Sequence, residues 1–493
     1  MAMSLFQHLE QHAARQPEAS AVVEHRDDGQ TLTVTWRQYH NAIAAFAQSL
    51  RKAAAPGQVV LLIAPNRTQT MIAFFAALLA DVAVYPLSPH LSEHERIEAA
   101  RRSGATACIG LPEATACLEG VVTTRIALNA VPLVGDDAAA AASMDAHKGT
   151  ARLLLQSSGT TGLPKIVSRE LAGVVAMGDS CRRHVGVTSD DRMLAVVPVC
   201  HSYGIDHELL SAMLAGATVV LCPRFDAAQV HTLLKRDEVS IFPGVPFIFD
   251  ALAKFADAPM KPGRLRRAFS AGGPLPASVF DAFSEKYSLR LGQIYGSTEF
   301  GSITYNDPDI TPFDHASAGR PMDNLTLRIL DREHPRADAP LTTGEEGQLA
   351  VAAPSMLTRY IGHDESPLTD GLFHVGDLAR VDAQGRLFIT GRVKLLIEVG
   401  GLKVNPLEVE AVLSQHPAVS DVVVVGVPLS ETITRVKAIV VWKGNGGEGD
   451  MDSLRRFARE RLASYKVPRI FEERTSLPKS ATGKILRGEL QPT

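Results

Sequence analysis

Residues 154–165 read Leu-Leu-Gln-Ser-Ser-Gly-Thr-Thr-Gly-Leu-Pro-Lys. The apolar run Leu153-Leu154-Leu155 leads into a loop of hydroxyls and glycines that ends in one lysine. Gly159 and Gly162 let the backbone curl so that successive N–H groups point inward, and such a nest binds anions. Ser157, Ser158, Thr160 and Thr161 add side-chain donors, and Lys165 adds a point charge suited to phosphate. A Walker A loop would need Gly, four residues, then Gly-Lys-Ser/Thr, whereas here Pro164 precedes the lysine. A plain surface turn would share the hydroxyls and glycines. It would have no reason to lie between an apolar strand and a Pro-Lys pair.

With 493 residues, the chain exceeds what one core can hold, because single cores stop growing at about 250–300 residues. At least two domains are expected. Composition is 45% hydrophobic and 21% charged with a net charge of −4, ordinary for a globular protein. It makes no electrostatic case for nucleic acid or an anionic membrane. The cysteines Cys108, Cys117, Cys181, Cys200 and Cys222 are scattered. That pattern fits a reducing cytosol and argues against a zinc site. No signal peptide is read at the N-terminus, and no apolar run reaches the roughly 18 residues of a membrane span.

Short β-rich apolar runs alternate with longer helical patterns, which predicts α/β architecture with parallel-rich sheets and packed helices. Val59–Ala64 reads as a buried strand and Thr70–Ala80 as the helix after it. Met193–Val197 reads as a strand, followed by a helix near Leu209–Leu214 and a strand over Thr218–Leu221. Residues 136–144 read as a surface connector. Near Arg392-Val393-Lys394 the character changes to a compact unit. It holds a strand-like Leu395-Leu396-Ile397, a glycine pair, a helix from Pro406 to Gln415, strands at Val422–Val425 and Val436–Trp442, and a helix over Met451–Leu462. The expected division is a large domain over 1–391, a hinge over 392–394, and a small, mobile α+β domain over 395–493.

Further constellations follow along the chain. Pro198-Val199-Cys200-His201-Ser202-Tyr203-Gly204 places an imidazole just past a predicted strand, where it could contact a carboxylate. His201 and Asp206 also form an isolated His-x-x-x-x-Asp spacing. Ser270-Ala271-Gly272-Gly273-Pro274 offers small residues that let a flat ring approach the backbone. Tyr295-Gly296-Ser297-Thr298-Glu299 combines a ring that can stack on a base with a carboxylate that can hold magnesium. In Asp370-Gly371-Leu372-Phe373-His374-Val375-Gly376-Asp377, the last carboxylate can accept both hydroxyls of a ribose. Gly391-Arg392 follows. Pro478-Lys479-Ser480-Ala481-Thr482-Gly483-Lys484 carries a lysine on a Thr-Gly turn. Singly, most of these would pass for turns, a structural histidine or a solvated lysine.

Together, and in this order, they resemble the motifs of the adenylate-forming superfamily: acyl- and aryl-CoA synthetases, luciferases and peptide-synthetase adenylation domains. The resemblance spans most of the chain. It implies ATP and Mg²⁺ as cofactors, with the 157–165 loop, Ala271, Gly272, Gly273, Tyr295, Gly296, Asp377 and Arg392 around the nucleotide. By the same match Thr298 touches the α-phosphate, Glu299 holds the metal, and His201 stands between the acyl and ATP sites. Lys484 stabilises the adenylation transition state. Lys394 occupies the hinge position, and Gly400-Gly401 the strand along which a pantetheine arm passes. The chain departs from the family at Val375, where a hydroxyl is usual.

The implied reaction is attack of a carboxylate on the α-phosphate of ATP, releasing pyrophosphate, and then transfer of the acyl group to a thiol. Because a carboxylate is already a nucleophile, the protein has to position two anions and stabilise charge at phosphorus. His201, Tyr203, Phe242, Val245, Phe247, Ile248 and Gly272 are expected to line the acyl pocket. Their character suits an aryl or a short-to-medium aliphatic acid. The thiol is that of CoA or of a separate carrier protein, since no carrier-like Asp-Ser-Leu segment occurs. Pro428–Arg435 lacks the Gly-Glu pattern of many CoA ligases, which keeps the carrier open. An amino-acid substrate bound through Asp206 is an alternative, although the His201–Gly216 spacing is one residue longer than in relatives. A luciferase-like oxygenase and a non-catalytic nucleotide-binding protein are readings of other classes. Monomer and dimer both stay open.

Overall fold

The computed structural model describes residues 3–135, 144, 146–157, 164–236, 238–260, 263–395, 397–399, 402–430, 433–444, 451–462, 464, 466–480 and 485–490. The chain forms two compact units: residues 1–325 with 352–367, and residues 326–351 with 368–493.

The first unit is built on two sheets. In the nine-stranded sheet the strands Gly292–Ser297, Arg267–Ser270, Ile241–Gly244, Arg192–Ala195, Thr218–Leu221 and Ser20–His25 run parallel in that spatial order. Antiparallel strands finish both edges. In the seven-stranded sheet the strands Arg152–Gln156, Ala83–Leu87, Val59–Ile63, Ala105–Gly110 and Thr124–Ala127 are parallel, and Ile166–Glu170 and Arg359–Tyr360 close one side antiparallel. Helices cover these strands, so their sequences are apolar without alternation. Every residue of Val59–Ile63 is buried. The Thr68–Leu79 helix that follows is itself apolar on nearly all sides and almost wholly buried. Amphipathic helices lie farther out, and Leu5–Arg15, Trp36–Ala53 and Glu93–Ser103 each start with a reciprocal capping box.

The second unit opens with an antiparallel sheet of Thr326–Leu330, Gly347–Ala352, Phe373–Val381 and Leu387–Arg392. A hairpin of Ile397–Val399 and Leu402–Val404 leads to the Pro406–Leu413 helix, capped by Asn405. The long antiparallel pair Val419–Ser430 and Ile433–Trp442 carries Ile470–Glu473 parallel at its side, with the Met451–Arg461 helix packed below.

The parallel-rich α/β reading agrees with these sheets. Three particulars differ from expectation. The expected strand over Met193–Val197 leaves the ladder at Ala195, because the next two N–H groups turn to the Glu208 carboxyl. The helix expected near Leu209 begins as a π-helix over Gly204–Leu210 before Ser211–Ala215 turns α. By compactness the 373–392 strands go with the C-terminal unit, because they hydrogen-bond to one another and to Gly347–Ala352. Alternating strand patterns do not say which unit a sheet joins.

Candidate active site

The 157–165 segment is the turn of a β-hairpin. Arg152–Gln156 and Ile166–Glu170 pair antiparallel with Gln156 opposite Ile166, and Ser157 N–H donates to the Lys165 carbonyl at 2.9 Å. The hairpin neck is therefore fixed. Ser158, Gly159, Thr160, Thr161 and Gly162 lie outside the described residues, as do Gly400, Gly401 and Lys484.

Lys165 is exposed at the neck, its Nζ 4.5 Å from the centre of the Tyr360 ring. Tyr360 pairs with Val167 on the adjoining edge strand. Its hydroxyl donates toward Glu299 Oε1 at 3.4 Å, and Ser297 Oγ donates to Glu299 Oε2 at 2.8 Å. Burial and the neighbouring Glu299 carboxylate push the Tyr360 phenol above its ordinary pKa, so it stays a donor. Lys165, Glu299 and the Tyr295–Glu299 motif are thus brought together, and Tyr360 is the link. No local signal in Arg359-Tyr360-Ile361 marks that tyrosine in the sequence.

Tyr295–Glu299 ends one strand of a tight hairpin with Gly301–Asn306, bulged between Tyr295 and Gly296. A Cβ on Gly296 would stand 2.2 Å from the Gly301 carbonyl oxygen and 2.7 Å from Ser302 Cα. Only glycine permits this close return of backbone at the bulge. The glycine turn at 271–273 leaves the end of Arg267–Ser270, held by Ala271 N–H to the Gly244 carbonyl at 3.1 Å. Gly272 adopts φ +83° and lies beside Val245.

His201 stands on the loop after Arg192–Ala195. Its ring is solvent-accessible, yet desolvation by the protein around it lowers its pKa below the ordinary imidazole value. Tyr203 turns inward, and its hydroxyl donates to the Phe269 carbonyl at 3.1 Å. Of the other expected pocket residues, Val245, Phe242 and Ile248 are buried in one apolar cluster with Tyr203 packed against it. Phe247 is 54% exposed and meets the Phe225 ring instead. In the C-terminal unit Asp377 and Arg392 are cross-strand neighbours, with Nε 2.6 Å from the Asp377 carboxylate. Of Lys394, the backbone lies in a short 3₁₀ turn directly after that strand.

Behind these loops lies a polar layer that the sequence reading did not identify. Arg169, on the second strand of the 157–165 hairpin, is fully buried and pairs with Asp206 at 3.2 Å. Its Nε donates to the Ser355 carbonyl at 3.0 Å, and Ser355 Oγ donates to the Phe300 carbonyl at 2.6 Å. Asp206 is engaged inside the protein and does not face a substrate amine. His207 is buried beside it, 2.8 Å from Ser302 Oγ and 3.4 Å from Cys181 Sγ.

Comparisons with known proteins bear on the chain as a whole. The family model of the AMP-binding enzymes matches residues 9–361, and that of the AMP-binding enzyme C-terminal domain matches residues 408–484. The chain is 31% identical to a feruloyl-CoA synthase of Amycolatopsis sp over 97% of this chain and 96% of that one. It is 29% identical to a 2-succinylbenzoate–CoA ligase of Bacillus licheniformis over 98% of each. The o-succinylbenzoate CoA synthetase of Bacillus subtilis, solved with its acyl-adenylate intermediate, superposes with a TM-score of 0.83 at 26% identity over 99% of this chain and 98% of that one. The same enzyme with ATP and magnesium gives 0.82 over 98% of each chain.

Two predictions follow from the buried layer. Removing one partner of a buried ion pair strands the other, at a cost of ~3–5 kcal/mol. Arg169→Met and Asp206→Leu should each lose about that much in urea unfolding, and the double variant should recover a large part. Strictly additive losses would show that the two charges are not coupled. His207 is lowered from 6.5 to about 3 by burial. Below pH 6.5 the unfolded chain takes up a proton that the folded one refuses, so stability is present above that pH and lost as it falls. The unfolding free-energy gap between wild type and His207→Asn should therefore narrow by roughly 2 kcal/mol between pH 7 and pH 5. A gap that stays constant would refute it.

Proposed function

The chain belongs to the AMP-binding enzymes, and from that premise we propose how its site serves an AMP-forming acid–thiol ligase and which acid it takes. The observation that carries the reading is the convergence of the hairpin neck, Lys165 and Glu299 through Tyr360. An ammonium, a phenol and a carboxylate at the mouth of a glycine-rich turn make a site for a polyphosphate with its cation. Glu299 suits magnesium, because that ion takes one or two protein carboxylates and leaves its other positions to phosphates and water. When bound, magnesium neutralises charge on the phosphate oxygens.

The residues then divide the work. The 157–165 loop and Lys165 hold the phosphates, Tyr295 and the 271–273 turn take the adenine, and Asp377 with Arg392 serves the ribose. Thr298 contacts the α-phosphate. His201 borders the incoming carboxylate, whose oxygen bonds to the α-phosphorus as the bond to the pyrophosphate oxygen breaks. Lys484 offsets charge in that transition state. In the second step a thiol sulfur attacks the acyl carbon, loses its proton, and releases AMP. Lys394 is the hinge between the two steps, and Gly400-Gly401 flank the thiol arm. Water must be kept out, because the adenylate hydrolyses.

The acid is an aryl acid. Support comes from the apolar wall of Tyr203, Phe242, Val245 and Ile248 and from relatives named for feruloyl and succinylbenzoyl substrates. Asp206, bound to Arg169, gives no support to an amino-acid substrate. The relatives' names favour CoA as acceptor over a carrier protein.

Acid-dependent ATP–pyrophosphate exchange, run without thiol over aryl, fatty, dicarboxylic and amino acids, tests the first step. Exchange is expected with aryl acids. Exchange confined to amino acids would overturn the substrate assignment, and its absence with every acid would overturn the reaction. Glu299→Ala should lower exchange about 10²–10³-fold, the scale of losing one transition-state contact. Lys394→Pro should keep exchange and lose thioester formation, and equal loss of both would remove its hinge role.

A further inference from the structure

The ladder of the nine-stranded sheet ends at Ala195, where Cys222 N–H donates to the Ala195 carbonyl at 3.0 Å. The next residues, Val196 and Val197, are buried. Their backbone groups have left the sheet but cannot reach water, so side chains must satisfy them. Two buried residues do so. Glu208 Oε1 accepts from Val196 N–H at 3.2 Å and from Val197 N–H at 3.0 Å. Asn66 donates to the Val197 carbonyl at 3.0 Å and accepts from Val199 N–H at 3.0 Å. His201 comes two residues later, its own N–H bonded to the Pro198 carbonyl at 3.0 Å.

The π-helix makes this reach possible. Asp206, His207 and Glu208 are consecutive and each at most 1% exposed. The wide i→i+5 turn, closed by Ser211 N–H on the Asp206 carbonyl, lets the segment carry its extra residue without leaving the core. Asp206 goes to Arg169, His207 to Ser302, and Glu208 to the loop. Gly204 lets the two backbones close up. A Cβ there would stand 3.1 Å from the Val197 carbonyl oxygen, 3.2 Å from that of Pro198, and 3.5 Å from Glu208 Oε2. Burial raises the Glu208 pKa well above the ordinary carboxyl range, so the neutral acid is favoured. Among the described residues its Oε2 has no hydrogen-bond partner.

We propose that Glu208 is a positioning residue for the acyl side of the site, its carboxyl clamping the Val196–His201 loop together with Asn66, so that His201 is held ready for the substrate carboxylate. The role assigned to His201 rests on the reading above; the clamp itself does not. What the clamp needs is a neutral acceptor of fixed length. Glutamine supplies one and leucine does not.

The experiment compares the full-length wild type with Glu208→Gln, Glu208→Leu and Asn66→Leu. Hydrogen–deuterium exchange is followed in peptides covering 194–202, and ATP–pyrophosphate exchange is measured with 4-coumarate as the acid. Asp81→Asn is the control. That buried carboxylate ties down Lys148 and Thr150 N–H at the far end of the other sheet. Glu208→Leu and Asn66→Leu should speed amide exchange in 194–202 and raise KM for the acid, each by about tenfold or more, because each variant removes two hydrogen bonds to buried backbone groups. KM for ATP should move less than about twofold. Glu208→Gln should stay near wild type in both, and Asp81→Asn should not touch the 194–202 peptides. Unchanged protection in Glu208→Leu, or a Glu208→Gln variant as damaged as the leucine one, overturns the proposal. So does an equal rise in KM for both substrates. Should the leucine variant not fold, Gly204→Ala presses on the same contacts and is expected to give the same split. If wild type shows no exchange with 4-coumarate, the KM arm is run with an acid that supports exchange in the panel above; if none does, the ligase reading fails, and the amide-exchange comparison still decides the clamp.

Discussion

The Arg169–Asp206 pair is the constraint on which the N-terminal unit turns. Both side chains are essentially without solvent contact. Desolvating two charges costs more than a single contact returns, so such a pair is poor evidence for added stability. Its value lies in what it joins. Arg169 belongs to the strand that leaves the 157–165 turn, Asp206 to the segment that follows His201, and the Ser355 carbonyl accepts from the same guanidinium. Ser355 in turn donates to the Phe300 carbonyl, and Leu357 N–H to that of Glu299. Three segments that bear site residues are thereby referenced to one fixed cation.

This matters because the chemistry consists mostly of placement. A carboxylate and a polyphosphate repel one another, and no general base is needed to make the nucleophile. What the protein contributes is geometry and pre-set positive potential. Loops at the ends of parallel strands are the natural place for such a site, but loops are soft. Here the softness is removed from behind. The hairpin neck is closed by Ser157 and Lys165, and the Tyr295 hairpin by the close approach at Gly296. The His201 loop is held by Glu208 and Asn66.

The fold class and the candidate site strings were legible in the chain. The glycine–hydroxyl loop, Tyr295–Glu299, His201, Asp377 and Arg392 are short strings whose chemistry is local, and the parallel sheets announce themselves through apolar runs such as Val59–Ile63. The π-helix was not legible in the same way. Gly204–Leu210 has three successive polar residues and no amphipathic stripe, so periodicity places the helix start too late. Tyr360, Arg169 and Asn66 act across long stretches of sequence: Arg169 reaches Ser355 186 residues away, Asn66 reaches Val197 131 away, and Tyr360 reaches Glu299 61 away. Contacts of that kind leave no spacing to read. The sheet over 373–392 shows the complementary limit: its strands are plain in the sequence, but their allegiance to the C-terminal unit depends on pairing.

The buried layer also bears on what the acyl side can recognise. Asp206 and His207 are spent on Arg169 and on Ser302, and Glu208 on backbone N–H groups. Their polar capacity serves the fold rather than the ligand. On the acyl side as proposed above stands the ring of Tyr203, whose hydroxyl is itself occupied by the Phe269 carbonyl, with Val245 and Ile248 in the apolar cluster it packs against. A wall of that kind returns free energy for flat apolar area and offers little to a second charge, which would be desolvated without a partner. For the aryl acid proposed above, the absence of a polar demand on such a wall follows from groups already committed elsewhere.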